Sequence, residues 1–487
     1  MIPLSLRHLA EVSSGELAGI SEEDAANLVI SGPVVTDSRE CGPDGLYVAR
    51  VGEHADGHDF IPQALAAGAV AAMTTRIVPG VPCIVVADIQ DGFATLARAV
   101  VDAAPDLRIV AVTGSSGKTS TKDVLGSVLA AAGATVAPQG SYNSEVGVPL
   151  TVTRIVPSTR FLVAEMGARG IGHVAYLTRI APPDVAIVLN VGAAHLGEFG
   201  SRAAIAEAKG ELVEALDETG VAVLNADDTA VAAMARRTRA RVVLVSAAGD
   251  RGADLWAEDI TLDELSRPSF TICDSASRWP VSLVLHGIHH VDNVLAVVAA
   301  ARACGLGMDT IVAQLEQARP ISRWRMEVSE RADGVRVIND AYNANPDSMR
   351  AAIHALAAMG ERRRTIAVLG TMLELGPDSD TEHAATGRAA MEQGIDLLIG
   401  VGEGGPAIGQ GAQQATRIRD SQQWRVVPDA DAAYDLLVDE LRPGDVVLFK
   451  SSRDAGLRYL GDRIANRSAD EPTALTHAPD QPAGRSG

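Results

Sequence analysis

Thr113-Gly114-Ser115-Ser116-Gly117-Lys118-Thr119-Ser120 follows the apolar run Ile109-Val110-Ala111-Val112 and precedes a segment with apolar residues at Val124, Leu125, Val128 and Leu129. A short apolar strand, a glycine turn and a new helix form the context of a phosphate-binding loop. Glycines let backbone N–H groups crowd around phosphate oxygens, and the helix turns its positive end toward them. In such a loop Gly114, Ser115, Ser116, Gly117 and Ser120 line the phosphates of a nucleotide and Lys118 reaches the outer ones, while the Thr119 hydroxyl completes the shell of a Mg²⁺ ion. The general pattern carries a glycine five residues before Gly117, where this chain has Val112. A Gly/Ser-rich turn with a lysine near its end is the plainer alternative. Gly-Lys-Thr directly after an apolar strand weighs against it.

At 487 residues the chain exceeds one ordinary core, so two or three domains are expected. Hydrophobic residues at 47% with 21% charged describe a globular chain. A net charge of −20 argues against general nucleic-acid binding, which needs a basic face to displace counterions. The four cysteines (Cys41, Cys83, Cys273, Cys304) have no Cys-x-x-Cys spacing, so neither zinc nor a disulfide framework is expected and a reducing compartment fits. No basic patch with an apolar core opens the chain, and no apolar run is long enough for a membrane span. The expectation is a soluble cytoplasmic monomer without membrane insertion.

Three α/β segments are legible. Residues 1–105 carry short strands near Val34-Val35, Leu46–Ala49, Ala69–Met73 and Ile84–Val86, with a helix from Ile61. Within them Thr36-Asp37-Ser38-Arg39 offers a Ser-Arg pair at a strand end, suited to an anionic ligand. A turn closed by a surface ion pair explains the same residues. Asp56-Gly57-His58-Asp59-Phe60 is a second stretch too particular for plain scaffolding. Residues 106–319 read as a mainly parallel sheet, with all-apolar strands at Phe161–Ala164, Val185–Leu189, Val221–Leu224 and Val242–Val245. A helix starts at the N-cap Ser201. Ligands in such sheets lie beyond the carboxyl ends of the strands. That rule selects Glu165, Asn190 and His195. Residues 320–467 repeat the open α/β pattern without a Gly-x-Gly-x-x-Gly turn; Asp340–Pro346 and Lys450-Ser451-Ser452-Arg453 follow its first and last strands and could face one cleft. Residues 468–487 read as a disordered tail.

Taken together these stretches resemble the Mur ligase family over about residues 30–460. The resemblance rests on the glycine loop without its early glycine, Tyr142–Thr151, Glu165-Met166-Gly167-Ala168, Ala194-His195-Leu196, Asp340–Pro346 and Val368–Gly376. It implies a UDP-binding domain, a central ATP-binding domain and a Rossmann-like domain that closes over the site. The implied reaction is ATP-dependent joining of D-alanyl-D-alanine to UDP-N-acetylmuramoyl-tripeptide through an acyl phosphate. By the same resemblance Thr119, Glu165 and His195 hold Mg²⁺, in two sites, and Lys209 is carbamoylated by CO₂. Asn293 contacts adenine, while Arg325 and Asp340 reach the phosphates and ribose. Ser38 and Arg39 match the UDP motif, and Asn143 and Ser144 the muramoyl-peptide stretch. Asn343, Asn345, Lys450 and Arg453 are candidates for the dipeptide or for closure.

The chain departs from the family pattern at Ser144, His290, Trp324, Thr371 and Ser451, in the places of asparagine, asparagine, glycine, aspartate and glycine. These departures bear on adenine contact, hinge conformation and dipeptide binding. Two other readings compete: a family ligase that adds the third residue, and a P-loop switch that hydrolyses nucleotide for a partner.

Overall fold

The computed structural model describes residues 1–52, 55–192, 196–416 and 418–467. The sequence therefore places His195 and the expected tail outside the described residues. The chain is α/β, built on three successive sheets, with a small two-stranded pairing of Leu4–Ser5 and Val29–Ile30 at the N-terminus.

The first large sheet orders its strands Glu16–Ala18, Cys83–Val85, Ala69–Thr74, Gly45–Val48, Val34–Val35, parallel except for the first pair. The central nine-stranded sheet has Arg108–Thr113 between Phe161–Glu165 on one side and Val185–Val188 on the other. All three strands are buried except at Arg108, because helices cover both faces. From Arg108–Thr113 the chain runs to the edge strand Thr135–Val136, returns through Phe161–Glu165, then crosses to Val185–Val188. The crevice at that reversal is where open parallel sheets hold ligands. It opens where the glycine loop leaves the sheet.

Three strands at the far edge, Leu255–Leu262, Pro268–Cys273 and Arg278–Ser282, pair antiparallel. The third sheet runs Glu327–Glu330, Arg336–Asn339, Val446–Lys450, Thr365–Leu369, Leu397–Val401, Gln423–Val427, parallel except for its first pair.

The apolar cores show how these parts are joined. One cluster runs from Met1 to Ala240, so the first sheet and one face of the central sheet share hydrocarbon. The opposite central face packs on the helix His290–Ala303, which is apolar nearly all round. The two faces of the third sheet have clusters of their own, drawn entirely from residues 326–464. No described helix is long and apolar enough to cross a membrane.

Candidate active site

The glycine loop emerges from Arg108–Thr113 and turns into the helix Lys118–Ala130 at Gly117, whose φ of +82° lies in the left-handed region that suits glycine. A side chain at Gly117 would also strike Asn293 Oδ1, 2.6 Å from an added Cβ. Thr121 N–H is the first to close onto the turn, reaching Gly117 O at 2.9 Å. The N–H groups of Lys118, Thr119 and Ser120 precede that bond and lack intrahelical acceptors, which is the arrangement that favours an anion. Earlier in the loop, Ser115 and Ser116 donate their N–H groups to Asn190 Oδ1 at 2.9 and 3.0 Å, and Gly192 N–H bonds Ser115 Oγ at 2.9 Å. Asn190 thus places a carbonyl oxygen against the loop. Lys118 Nζ donates to Gly114 O at 2.7 Å. Burial pushes the Lys118 pKa down; Glu165 opposes this and Arg325 adds to it.

Glu165 ends its strand 2% exposed. Its Oε2 accepts from Thr119 Oγ1 at 2.7 Å, and its Oε1 accepts from Ser141 Oγ and Asn143 Nδ2, both at 2.7 Å. The hydroxyls of Thr119 and Ser141 therefore converge with the Glu165 carboxylate beside the loop, hard oxygen donors that fit Mg²⁺. No cluster of three or more His, Cys, Asp or Glu side chains of metal-holding shape occurs among the described residues, so phosphate oxygens and water would complete the shell.

Lys209 lies on the helix Arg202–Glu214, which Ser201 N-caps as expected, and is 3% exposed. Burial holds its pKa well below the ordinary lysine value, and the Lys118 ammonium pushes the same way. A neutral amine is the form that attacks CO₂, and an anionic carbamate would answer the nearby cation, so the residue fits that modification. The loop toward His195 is anchored at Val191, whose N–H bonds Asp228 Oδ2 at 2.8 Å and whose carbonyl accepts Arg202 Nε at 2.8 Å.

Asn293 and His290 are buried one turn apart, and Asn293 Nδ2 and His290 Nδ1 have no partner among the described residues. The Asn293 amide lies beside Gly117, and buried polar atoms of this kind fit a purine base. The third sheet comes close to the adjoining His289. Asp340 and Lys450 form an ion pair at 2.6 Å, and both perturb the pKa of His289, which burial lowers. Arg325 stacks over Tyr342 at 4.3 Å, and its Nε has no partner among the described residues.

Three family models cover most of the chain: the Mur ligase family catalytic domain over residues 33–116, the Mur ligase middle domain over 112–301, and the Mur ligase glutamate ligase domain over 324–453. A UDP-N-acetylmuramoyl-tripeptide--D-alanyl-D-alanine ligase of Mycobacterium bovis is 46% identical over 502 residues, covering 95% of this chain and 98% of that one. The chain belongs to the Mur ligase family. Among solved structures, a MurF from Acinetobacter baumannii matches with a TM-score of 0.84 at 30% identity, over 96% of this chain and 99% of that one. A MurF ligase from Thermotoga maritima in complex with ADP gives 0.77 at 29% identity, over 90% and 97%. The three-domain α/β architecture expected from the sequence is that of the family.

Within this Mur ligase the sequence-selected residues fall into two groups. Lys118, Thr119, Glu165, Asn143, Lys209, Asn293, Arg325, Asp340 and Lys450 lie around the crevice. Others are occupied locally. Arg39 forms its ion pair with Asp37 at 2.6 Å on the surface, as in the turn alternative, while Ser38 Oγ bonds Gln63 at 3.0 Å. Asn345 caps the helix Pro346–Met359 in a capping box, and Asn343 gives its carbonyl to Lys450 at 3.1 Å. Ser144 Oγ accepts Gly147 N–H at 3.3 Å, and Arg453 is exposed in a single helical turn. In the stretch 56–60, His58 is buried between Asp56 (2.6 Å) and Thr75 N–H (3.1 Å), a structural bridge. Sequence reasoning missed Ser141, whose only signal was its place beside Tyr142-Asn143, and Asp123, which carried none.

Proposed function

We propose that this Mur ligase joins D-alanyl-D-alanine to UDP-N-acetylmuramoyl-tripeptide, converting ATP to ADP and phosphate. The observation that carries the reading is the contact of Thr119 with Glu165 at the mouth of the phosphate loop, with Lys118 in the same loop and the buried Lys209 within the reach of its charge. A carboxylate is a poor electrophile, and phosphorylation supplies its leaving group. The terminal carboxylate oxygen attacks the γ-phosphorus and ADP departs. The amine of D-alanyl-D-alanine then attacks the acyl carbon, loses a proton, and inorganic phosphate leaves the tetrahedral intermediate.

Both partners in the first step are anionic, so positive charge must offset their repulsion. Lys118 provides it from the loop and Arg325 from the third domain. Mg²⁺, held by Thr119 and Glu165 with His195 serving a second ion, would supply further neutralisation as a Lewis acid. Lys209, carbamoylated, would give that region an anionic group and balance Lys118. Asn293 and His290 take the base, Asp340 the ribose, Ser38 and Arg39 the UDP moiety, and Asn143 and Ser144 the muramoyl peptide. Asn343, Asn345, Lys450 and Arg453 remain with dipeptide binding or closure. Domain limits at 105/106 and 319/320, a tail from 468, and a cytoplasmic monomer belong to the same reading.

The test is a paired ligation assay. UDP-muramoyl-tripeptide with D-alanyl-D-alanine should give a product of the summed mass less water, with one ADP and one phosphate. Ligation of a diamino acid to UDP-muramoyl-dipeptide instead would replace this reading by the third-residue-adding one. Turnover of ATP without an acceptor amine would favour the nucleotide switch.

A further inference from the structure

The segment that enters the third domain is fastened at two places separated by one residue. On the central domain, Gln139 Nε2 donates to Ile321 O at 3.3 Å, Gly140 N–H to Ser322 Oγ at 3.0 Å, and Ser322 N–H to Asp123 Oδ2 at 3.0 Å. Ser322 and Asp123 are both buried. Asp123 is held in turn by the buried Lys122 at 2.5 Å, and Lys122 Nζ also donates to Pro138 O. Lys122 and Asp123 lie on the helix Lys118–Ala130, one turn after the phosphate loop. Gly140 directly precedes Ser141, one of the groups on Glu165.

From Trp324 onward the chain is fastened to the third domain. Trp324 N–H donates to Glu327 Oε2 at 3.0 Å, its carbonyl accepts Tyr342 N–H at 3.2 Å, and its indole Nε1 donates to both Asp462 oxygens at 3.1 and 3.0 Å. Met326 N–H bonds Asp340 Oδ1 at 3.0 Å. Trp324 and Met326 have φ of +60° and +49°, uncommon for residues with a Cβ, so the bonds around them hold a costly backbone shape. Arg325 sits between the two. Even the side chain of Arg323 belongs to the third domain, through Asp462 at 3.0 Å.

We propose that the third domain turns about the backbone at Arg323 alone, and that Ser322 and Asp123 are positioning residues that key the fixed end of this pivot to the phosphate-loop helix and the Glu165 cradle. Arg325, Asp340 and Lys450 then move as one body, because every residue from Trp324 is tied to that body. Their place over the phosphate loop then depends on how firmly Ser322 is seated, together with the bond from Gly197 N–H to Glu374 O at 3.3 Å. The kinetic half of this inference rests on the ligase reading.

The test compares Ser322→Ala, which leaves Gly140 N–H without its acceptor, with Ser322→Thr, which keeps the hydroxyl. Two measurements are made on the full chain: the distance distribution between spin labels on exposed sites of the central and third domains, and kcat for ligation. Ser322→Ala should widen the distribution and lower kcat about tenfold, with KM for the UDP-linked substrate within twofold of the parent and the melting temperature nearly unchanged. Ser322→Thr should restore both readouts. An unchanged distribution in Ser322→Ala, or a Ser322→Thr variant as defective as the alanine, overturns the proposal. A parent chain that fails to ligate overturns the ligase reading and leaves the distance test of the pivot standing.

Discussion

Lys118 is the residue on which the chemistry leans most directly. Lys118→Ala should lower kcat by a hundredfold or more, about 3 kcal/mol of lost electrostatic stabilisation, with an unchanged circular dichroism spectrum. Near-parental turnover would sink the loop assignment. Lys209 permits a test that needs no turnover. Its folded pKa lies below its unfolded value, so between the two the unfolded chain binds more protons and stability rises with pH. In CO₂-free buffer at pH 7, Lys209→Met should therefore melt higher than the parent, and the gap should close toward about pH 10.5. Bicarbonate should raise the melting temperature of the parent and leave Lys209→Met where it was. Lys118, Thr119 and Glu165 were legible in the sequence because each sits at a strand end or in a motif whose geometry is local. Asn190 was selectable as a strand-end residue, but its grip on Ser115 and Ser116 spans more than seventy positions and no spacing rule encodes it. Asp123 has no local signal, because its partner Ser322 lies 199 positions away.

Among elements, the parallel strands were read well because burial on both faces makes them continuously apolar, as in Phe161–Glu165. The antiparallel edge strands were not. Leu255–Leu262 breaks its alternation where the register shifts between Glu258 and Thr261, and Glu327–Glu330 carries one apolar residue, so only its pairing with Arg336–Asn339 defines it. The helix His173–Ile180 has a related dependence. It begins at Gly172 with no capping side chain of its own, and Glu211 from the neighbouring helix accepts Gly172 N–H at 2.5 Å and Ala175 N–H at 2.9 Å. Glu211→Ala should cost about 1.5–3 kcal/mol, the usual worth of hydrogen bonds to a charged group, read as a lower urea midpoint. A midpoint unchanged from the parent would mean that water replaces the carboxylate at that helix start.

Across the whole molecule, the first and central sheets share a continuous apolar core, while the third sheet keeps its cores to itself and meets the others through polar contacts. Its placement should therefore respond to ligands more than that of the other two. ATP with UDP-muramoyl-tripeptide, each at about a hundred times its dissociation constant, should stabilise the folded chain by more than the roughly 2.7 kcal/mol of one such ligand, seen as a higher melting temperature than either alone. Three domains were legible from composition and alternation. Which of them share hydrocarbon was not, since that depends on pairings such as Leu6 and Phe93 with Ala186 and Leu212 in one cluster. The same cluster has a consequence for synthesis on the ribosome. It contains both Met1 and Ala240, so the N-terminal residues cannot complete their packing until nearly half the polypeptide has emerged. They wait with apolar surface exposed, in need of chaperone cover, whereas the third domain can condense as a unit once its own last helix, Leu457–Ala465, is free of the exit tunnel.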